Sequence, residues 1–337
     1  MDPDVASPVS GLMQAIVQDR FGPPDVLRVA EVARPEIGPG DVLVQVQAAA
    51  LNPYDWHVLR GDPLIARLSA EVGFTRPKAR VAGIDAAGRV AAVGAAVRGL
   101  RPGDQVFGFC PGAFAEYART SADLLVPMPA RLTFEQAAAL PVAATTALRA
   151  VRDVGQVRAG QRVLVNGAAG GVGTCAVQLA VALGAEVTGV CGSGNVDLVR
   201  SIGATHVLDH TERDFTDGPD RYDVIVDNVG NRPLRRVRRA LTPTGTLVFN
   251  GGGSPGRLVG AVGRILAVVA LDGLVRQRLR PLLAARRPAD LLAVAELVES
   301  GRLTPVVGRT YPLARAAEGL RHLETGHARG KLVVTIR

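Results

Sequence analysis

Sulfur, aromatics and lysine are scarce in this chain of 337 residues, and each scarcity excludes something. Cysteine occurs three times, as Cys110, Cys175 and Cys191, too few for a disulfide scaffold and at spacings that match no zinc module. Such usage suits a reducing compartment, and the cytoplasm is the expected location. Aromatic residues make up 4% of the chain, with a single tryptophan, so there are few platforms on which bases would stack. The net charge of +8 first suggests a nucleic-acid partner. Of the 39 basic residues, however, only Lys78 and Lys331 are lysines, which leaves 37 arginines, a bias that a GC-rich genome produces. No nucleic-acid-binding motif accompanies the charge, and no such partner is expected. The opening MDPDVASPVS has two acids and no basic residue, so no signal peptide is read there. The uncharged window 163–185 is long enough to resemble a membrane span, but it holds Asn166, Gln178 and a cluster of glycines. A strand, a tight turn and a buried helix explain it better, and no membrane partner is expected.

Apolar residues at 47% and charged residues at 21% are near globular averages, and the length allows about two domains. From Met13 to Arg131 the chain reads as short Val-rich strands (QAIVQD, LRVAEV, DVLVQVQAAAL, GRVAAVGA, DQVFGF) broken by turns such as IGPGD and RGLRPGD. This half predicts an irregular, mainly antiparallel β domain. From about Leu140 the rhythm changes to apolar strands alternating with helices of about ten residues, the signature of a parallel sheet with right-handed crossovers. The stretch 256–287 reads as one or two helices with arginines on one face. ADLLAVAELVESG predicts an amphipathic helix, and the chain closes with a strand, a helix and the strand KLVVTI. The fold class is therefore α/β.

The segment from Val163 to Gly173, VLVNGAAGGVG, is the chemical centre. A strand runs into Gly167, Ala168, Ala169, Gly170, Gly171, Val172 and Gly173, and a helix follows. Small residues let backbone approach a pyrophosphate, and the free N–H groups at the helix start favour its charge. A glycine motif alone is weak, but here strand and helix flank it, which predicts a dinucleotide site. In NAD enzymes an acid about 20 residues past the glycines holds the ribose 2′-hydroxyl. Here that count reaches Cys191, Gly192 and Ser193, and no carboxylate stands there. NADPH is favoured by the same logic, with Ser193, Asn195 and His210 as the nearest hydrogen-bonding groups and Arg200 adding charge.

With a β half in front, a Rossmann half behind and a return strand at the end, the chain resembles the medium-chain dehydrogenase/reductase superfamily, and its quinone oxidoreductase branch in particular. LNPYDWHVLRGD, AGIDAAGRVAAVG, LRPGDQVFGF, GAFAEYA, LPVAATTALRA, NGAAGGVGTCAVQLA, VDNVG and GKLVVT carry the resemblance. It implies a GroES-like catalytic domain over 1–136 and 286–337, a Rossmann nucleotide-binding domain over 137–285, and a homodimer. Alcohol dehydrogenases of this superfamily hold a catalytic zinc, but the ligand positions read Asn52 and Ile84 here, which implies no metal. Without a Lewis acid a plain ketone is a harder substrate than a quinone or an α,β-unsaturated carbonyl. The resemblance thus implies an NADPH-dependent, zinc-free reductase of a small quinone or enone. A tailoring reductase acting on a larger carbonyl or enoyl thioester, and a catalytically silent NADPH sensor, stay open. So does use of NADH, because relatives often carry Arg or Lys at Gly194 and Tyr at His210. By position, Tyr54 is the expected proton donor, His57 its relay and Asn52 a group orienting the carbonyl. Thr145, Thr146, Asn228, Val229, Asn250, Gly251, Gly252 and Lys331 are the further residues expected to face the cofactor. Asp55 is expected to be structural.

Overall fold

A computed structural model of the chain describes residues 11–62, 64, 67, 72–251, 261–283 and 285–336. The first part supplies β1 (Leu12–Val17), β2 (Arg28–Ala33), β3 (Asp41–Ala50), α1 (Pro53–Arg60), β4 (Asp85–Val93), β5 (Gln105–Phe109), β6 (Tyr117–Ser121) and β7 (Leu125–Pro127). Two helices, α2 (Phe134–Ala138) and α3 (Pro141–Leu148), lead onward, and a π-helical turn over Arg149–Val154 extends α3. Strands and helices then alternate: β8 (Arg162–Asn166), α4 (Gly171–Ala182), β9 (Glu186–Cys191), α5 (Val196–Ser201), β10 (His206–Asp209), β11 (Tyr222–Asp227), α6 (Leu234–Arg239), β12 (Leu241–Phe249), α7 (Ala261–Asp272) and β13 (Arg278–Pro281). The chain ends with α8 (Pro288–Glu299), β14 (Val307–Pro312), α9 (Ala316–Glu324) and β15 (Lys331–Thr335).

Six strands form one parallel sheet in the order β10-β9-β8-β11-β12-β13. Counted from β8 this is the doubly wound order, with its switch point between β8 and β11. Val163, Leu164, Val165, Ile225, Val226 and Leu247 are all fully buried, as expected where helices cover both faces. The other large sheet has the order β14-β15-β3-β4-β5-β7, with β6 paired to β3. Every pairing in it except β14 with β15 is antiparallel. The fold is therefore α/β, a Rossmann sheet joined to a mainly-β GroES-like part. Between them lies a core rich in alanine: Ala137, Ala143, Ala144 and Ala147 of α2 and α3 pack with Phe107, Phe109, Cys175 and Ala176 in one buried cluster. Small side chains let α3 and α4 approach closely, which fixes how the β sheet faces the glycine turn.

One expectation fails. The stretch expected as one or two helices contains α7 and then the edge strand β13, which pairs in parallel with β12. Its arginines alternate: Leu279 is buried while Arg278 and Arg280 point to solvent, a period of two on a sheet edge and not one face of a helix.

Candidate active site

β8 delivers the chain into the glycine turn at the switch point of the parallel sheet, where ligands bind in such folds. Gly167 has φ +77°, a left-handed conformation that a side chain disfavours. A Cβ on Gly173 would stand 2.0 Å from the Gly167 carbonyl oxygen, so only glycine lets α4 start this close to the strand. Gly170, by contrast, faces open space: the nearest atom to its Cβ position is that same oxygen at 3.5 Å. The first bond of α4 runs from the Thr174 N–H to the Gly170 carbonyl (2.9 Å), so the N–H groups of Gly171, Val172 and Gly173 precede the helical ladder. A cradle of small residues capped by free donors fits a pyrophosphate.

At the neighbouring strand ends, an amide ladder holds the loops. Asn166 Nδ2 donates to Asp227 Oδ1 (2.8 Å), Asn228 Nδ2 to the Asn166 carbonyl (3.2 Å), and Asn250 Nδ2 to Asn228 Oδ1 (2.8 Å). Asp227 Oδ1 also accepts from the Gly230 N–H (2.8 Å), and Arg264 clamps the carbonyls of Gly230 and Arg232. This places Asn228, Val229 and Asn250 along one sheet edge, with Gly251 exposed beside them. Gly252 lies outside the described residues. Thr145 is buried and spends its hydroxyl on the Pro141 carbonyl (2.6 Å), while Thr146 is half-buried.

Beyond β9, Ser193 Oγ lies 3.1 Å from Thr211 Oγ1, and the Asp209 carboxylate accepts from the Thr211 N–H (2.9 Å) and hydroxyl (2.7 Å). Hydrogen bonds from Ser193 and Thr211 hold the Asp209 carboxyl below the usual range. His210 sits over Gly192, with Nε2 3.5 Å from that glycine's Cβ position. Asn195 is half-buried nearby. No carboxylate ends the second strand, yet Asp209 brings one from the end of the third. Counting along one strand misses it; the parallel neighbour is the signal.

The capping box at the head of α1 is closed by Asp55, whose Oδ2 accepts from the Asn52 N–H (2.7 Å). Burial pushes the Asp55 carboxyl up to about 7. Asn52 Nδ2 donates to the Ala50 carbonyl (3.2 Å) and to Asp85 Oδ2 (3.0 Å), while its Oδ1 accepts from Lys331 Nζ (2.6 Å). Neither amide hydrogen is left to orient a carbonyl, contrary to the role expected for Asn52. Lys331 likewise turns its ammonium into the protein, donating also to the Leu51 carbonyl (3.0 Å). Only its stem meets the glycine turn, 2.6 Å from the Cβ position of Gly171, contrary to a charge that reaches the cofactor. These residues do not fit zinc. Ile84 has no donor atom, and an ammonium already occupies the Asn52 oxygen. Among the described residues no three His, Cys, Asp or Glu side chains converge on a metal position.

Beside this network lies a cavity of about 390 Å³ lined by Tyr54, Val58, Val81, Ile84, Pro111 and Arg286. The Arg286 guanidinium stands 5.6 Å from the Tyr54 ring centre. Gln18, in the same wall, donates from Nε2 to the Ala79 carbonyl (3.2 Å) and keeps a buried Oε1 with no partner among the described residues. His57 is not among the lining residues. It stacks on Trp56, with ring centres 3.8 Å apart, and its Nδ1 donates to the Asp62 carbonyl (2.8 Å), which leaves Nε2 as the acceptor in the neutral ring. Burial lowers the His57 pKa and favours that neutral form.

Comparison with known proteins agrees with this architecture. Residues 38–130 match the alcohol dehydrogenase GroES-like domain, and residues 202–334 match a family described as zinc-binding dehydrogenase. The chain is 33% identical to 2-methylene-furan-3-one reductase of Solanum lycopersicum, across 96% of this chain and 79% of that protein. It is 34% identical to an NADPH-dependent alkenal/one oxidoreductase of Arabidopsis thaliana, with the same coverage of 96% and 79%. The solved quinone oxidoreductase of Coxiella burnetii superimposes with a TM-score of 0.82 at 30% identity, covering 97% of this chain and 100% of that one. This chain belongs to the medium-chain dehydrogenase/reductase superfamily, in its quinone oxidoreductase-like branch, and is an oxidoreductase that uses a nicotinamide cofactor.

Proposed function

We propose that the protein transfers a hydride from NADPH to a quinone or an α,β-unsaturated carbonyl without a metal. The observation that carries this reading is the cavity wall at Ile84 and Tyr54, backed by the closed Asn52–Asp85–Lys331 network, in place of metal ligands. Such a site offers a substrate oxygen hydrogen-bond donors and no Lewis acid. A quinone or enone oxygen needs no more, since one well-placed donor contributes ~3 kcal/mol to a developing oxyanion. The relatives named as an alkenal/one oxidoreductase and a quinone oxidoreductase support the same substrate class.

NADPH, when bound, supplies the hydride. The turn from Gly167 to Gly173, through its backbone N–H groups and the positive end of α4, holds the pyrophosphate. Ser193, Asn195 and His210 flank the adenosine ribose, while Asn228, Val229, Asn250, Gly251 and Thr146 border the nicotinamide. Tyr54 donates its phenolic proton to the oxygen as charge develops there, and His57 takes a proton from solvent at Nε2 and passes it on to restore the phenol. The protein works as a homodimer through the Rossmann edge at β13, beside which Leu266 and Leu283 are exposed. Its three buried, unpaired cysteines suit the cytoplasm, and no helix of the described residues is long and apolar enough to cross a membrane.

The test is oxidation of NADPH, followed by nicotinamide absorbance, against a benzoquinone, a naphthoquinone, an enal, an enone and a plain ketone, with and without EDTA. Turnover of quinones or enones that ignores EDTA is expected. Ketone turnover abolished by EDTA overturns the metal-free reading, and tight NADPH binding with no turnover of any acceptor overturns the reductase reading.

A further inference from the structure

Three chain segments far apart in sequence bring buried charged and amide groups together where the two sheets adjoin. Asn52 caps α1, Asp85 begins β4 and Lys331 begins β15, and each is more than nine-tenths buried. Lys331 Nζ donates to Asn52 Oδ1 and the Leu51 carbonyl, and it faces Asp85 Oδ2 at 3.7 Å. Asp85 accepts in turn from Asn52 Nδ2 (3.0 Å) and from the Val142 N–H at the start of α3 (3.2 Å). On the other side, the Lys331 stem lies against Gly171, and the preceding Gly330 N–H donates to the Ala169 carbonyl (2.7 Å). One residue therefore touches both the turn assigned to the pyrophosphate and the cap of the helix that carries Tyr54.

We infer that Lys331 is a positioning residue, which through Asn52 and Asp85 sets the head of α1, and with it Tyr54, at a fixed distance from the glycine turn. The inference rests on the nicotinamide reductase reading above. Stability does not account for the network. A buried ion pair replaced by apolar groups of similar volume often leaves a fold as stable or more so. What the pair supplies is direction. Each contact of the ammonium fixes a vector, and any displacement of α1 withdraws Asn52 from both charges, leaving buried Asp85 without its amide donor and the Lys331 ammonium without its side-chain amide acceptor, which is unfavourable. A cofactor-binding role for the ammonium fits less well, because Nζ is buried and faces Asn52 Oδ1, the Leu51 carbonyl and Asp85 Oδ2. Hydride and proton transfer are sensitive to such placement, since a 1 Å shift of a reacting group costs as much as about 100-fold in rate.

The protein carries its own reporter. Trp56, its one tryptophan, lies on α1 and stacks on His57. The experiment compares the full-length protein with Lys331→Met, which keeps the stem against Gly171, and with Lys331→Met combined with Asp85→Asn, which removes both members of the ion pair and guards against misfolding. Three readouts are taken: NADPH affinity from nicotinamide fluorescence, the change in Trp56 emission on NADPH binding, and kcat with its isotope effect from NADPH deuterated at the transferred position. In both variants NADPH affinity is expected to stay near wild type, the Trp56 response to vanish, kcat to fall about tenfold or more and the isotope effect to rise. A wild-type kcat and Trp56 response in the double variant overturns the inference, and so does a loss of NADPH affinity that accounts for the lost rate. If the wild-type protein binds no NADPH, the nicotinamide reading fails and this inference with it; if it binds and turns over normally but the variants match it, only this inference fails.

Discussion

Gly170 and Gly173 lie three residues apart in one turn, and alanine at each is expected to do opposite things. At Gly173 the new methyl would stand 2.0 Å from the Gly167 carbonyl oxygen and 2.8 Å from Ala168 Cα. That oxygen is held in place by the Gly170 N–H (3.2 Å), so it cannot swing away without opening the turn. The start of α4 must then back off β8, an overpacking that costs about 1–3 kcal/mol. For a domain of this size that is a fall of several degrees in Tm, roughly 2–4 °C per kcal/mol. At Gly170 the backbone has φ −79°, ordinary for alanine, and the methyl meets nothing nearer than 3.5 Å. Gly170→Ala is therefore expected to keep the wild-type Tm in the cofactor-free protein. It should still weaken NADPH by about tenfold, ~1.4 kcal/mol, because its methyl occupies the space assigned to the pyrophosphate. Thermal unfolding with and without NADPH, together with nicotinamide fluorescence titration, separates the two. Equal losses of Tm in both variants, or wild-type NADPH affinity in Gly170→Ala, would refute the assignment of this turn.

Tyr54→Phe is expected to lower kcat at least about tenfold, the low end of general-acid effects, with NADPH affinity unchanged; wild-type turnover removes Tyr54 from the mechanism. Asp209→Asn takes a carboxylate from beside Ser193 and should raise the ratio of kcat/KM for NADPH over NADH severalfold; an unmoved ratio means that Asp209 does not face the ribose. Burial raises the Asp55 carboxyl from its usual value to about 7, so between about pH 4 and 7 the folded chain binds a proton that the unfolded chain has released. Stability from this group is thus full below about pH 4 and is lost as pH rises through 7. Urea unfolding at pH 5 and pH 8 should show a smaller loss in Asp55→Asn than in the wild type, and an identical loss would mean that Asp55 titrates normally.

The Rossmann half is legible in the sequence because its signals are local. A buried parallel strand shows as an unbroken apolar run, and Gly167 to Gly173 follow one such run directly, so β8, the turn and α4 can be read without any distant partner. The edge strand β13 is harder, since its only apolar anchor, Leu279, is flanked by Arg278 and Arg280, and a short alternating segment next to α7 offers little to distinguish it from a helix end. An edge strand is defined by the neighbour it pairs with, and that neighbour, β12, lies about 30 residues earlier in the chain.

The site divides along the same line. The positions of Tyr54 in the cavity wall and of the amides along the sheet edge follow from element ends and from the family pattern, because each lies at or next to a terminus of its own element. The roles of Asn52, Lys331 and Asp209 depend on contacts with other segments. Asn52 and Lys331 are 279 residues apart yet meet at 2.6 Å, and nothing in LNPYDWHVLRGD shows that the amide is already engaged. An exposed asparagine would be available to a substrate; this one, 1% exposed and bonded through both its oxygen and its nitrogen, is not. Residue type at a family position therefore indicates which ligand atoms are missing, here at Asn52 and Ile84. Burial and hydrogen-bond partners decide what stands there instead, and at this junction they give a lysine whose ammonium is held by Asn52, the Leu51 carbonyl and Asp85 while its stem lies against the glycine turn.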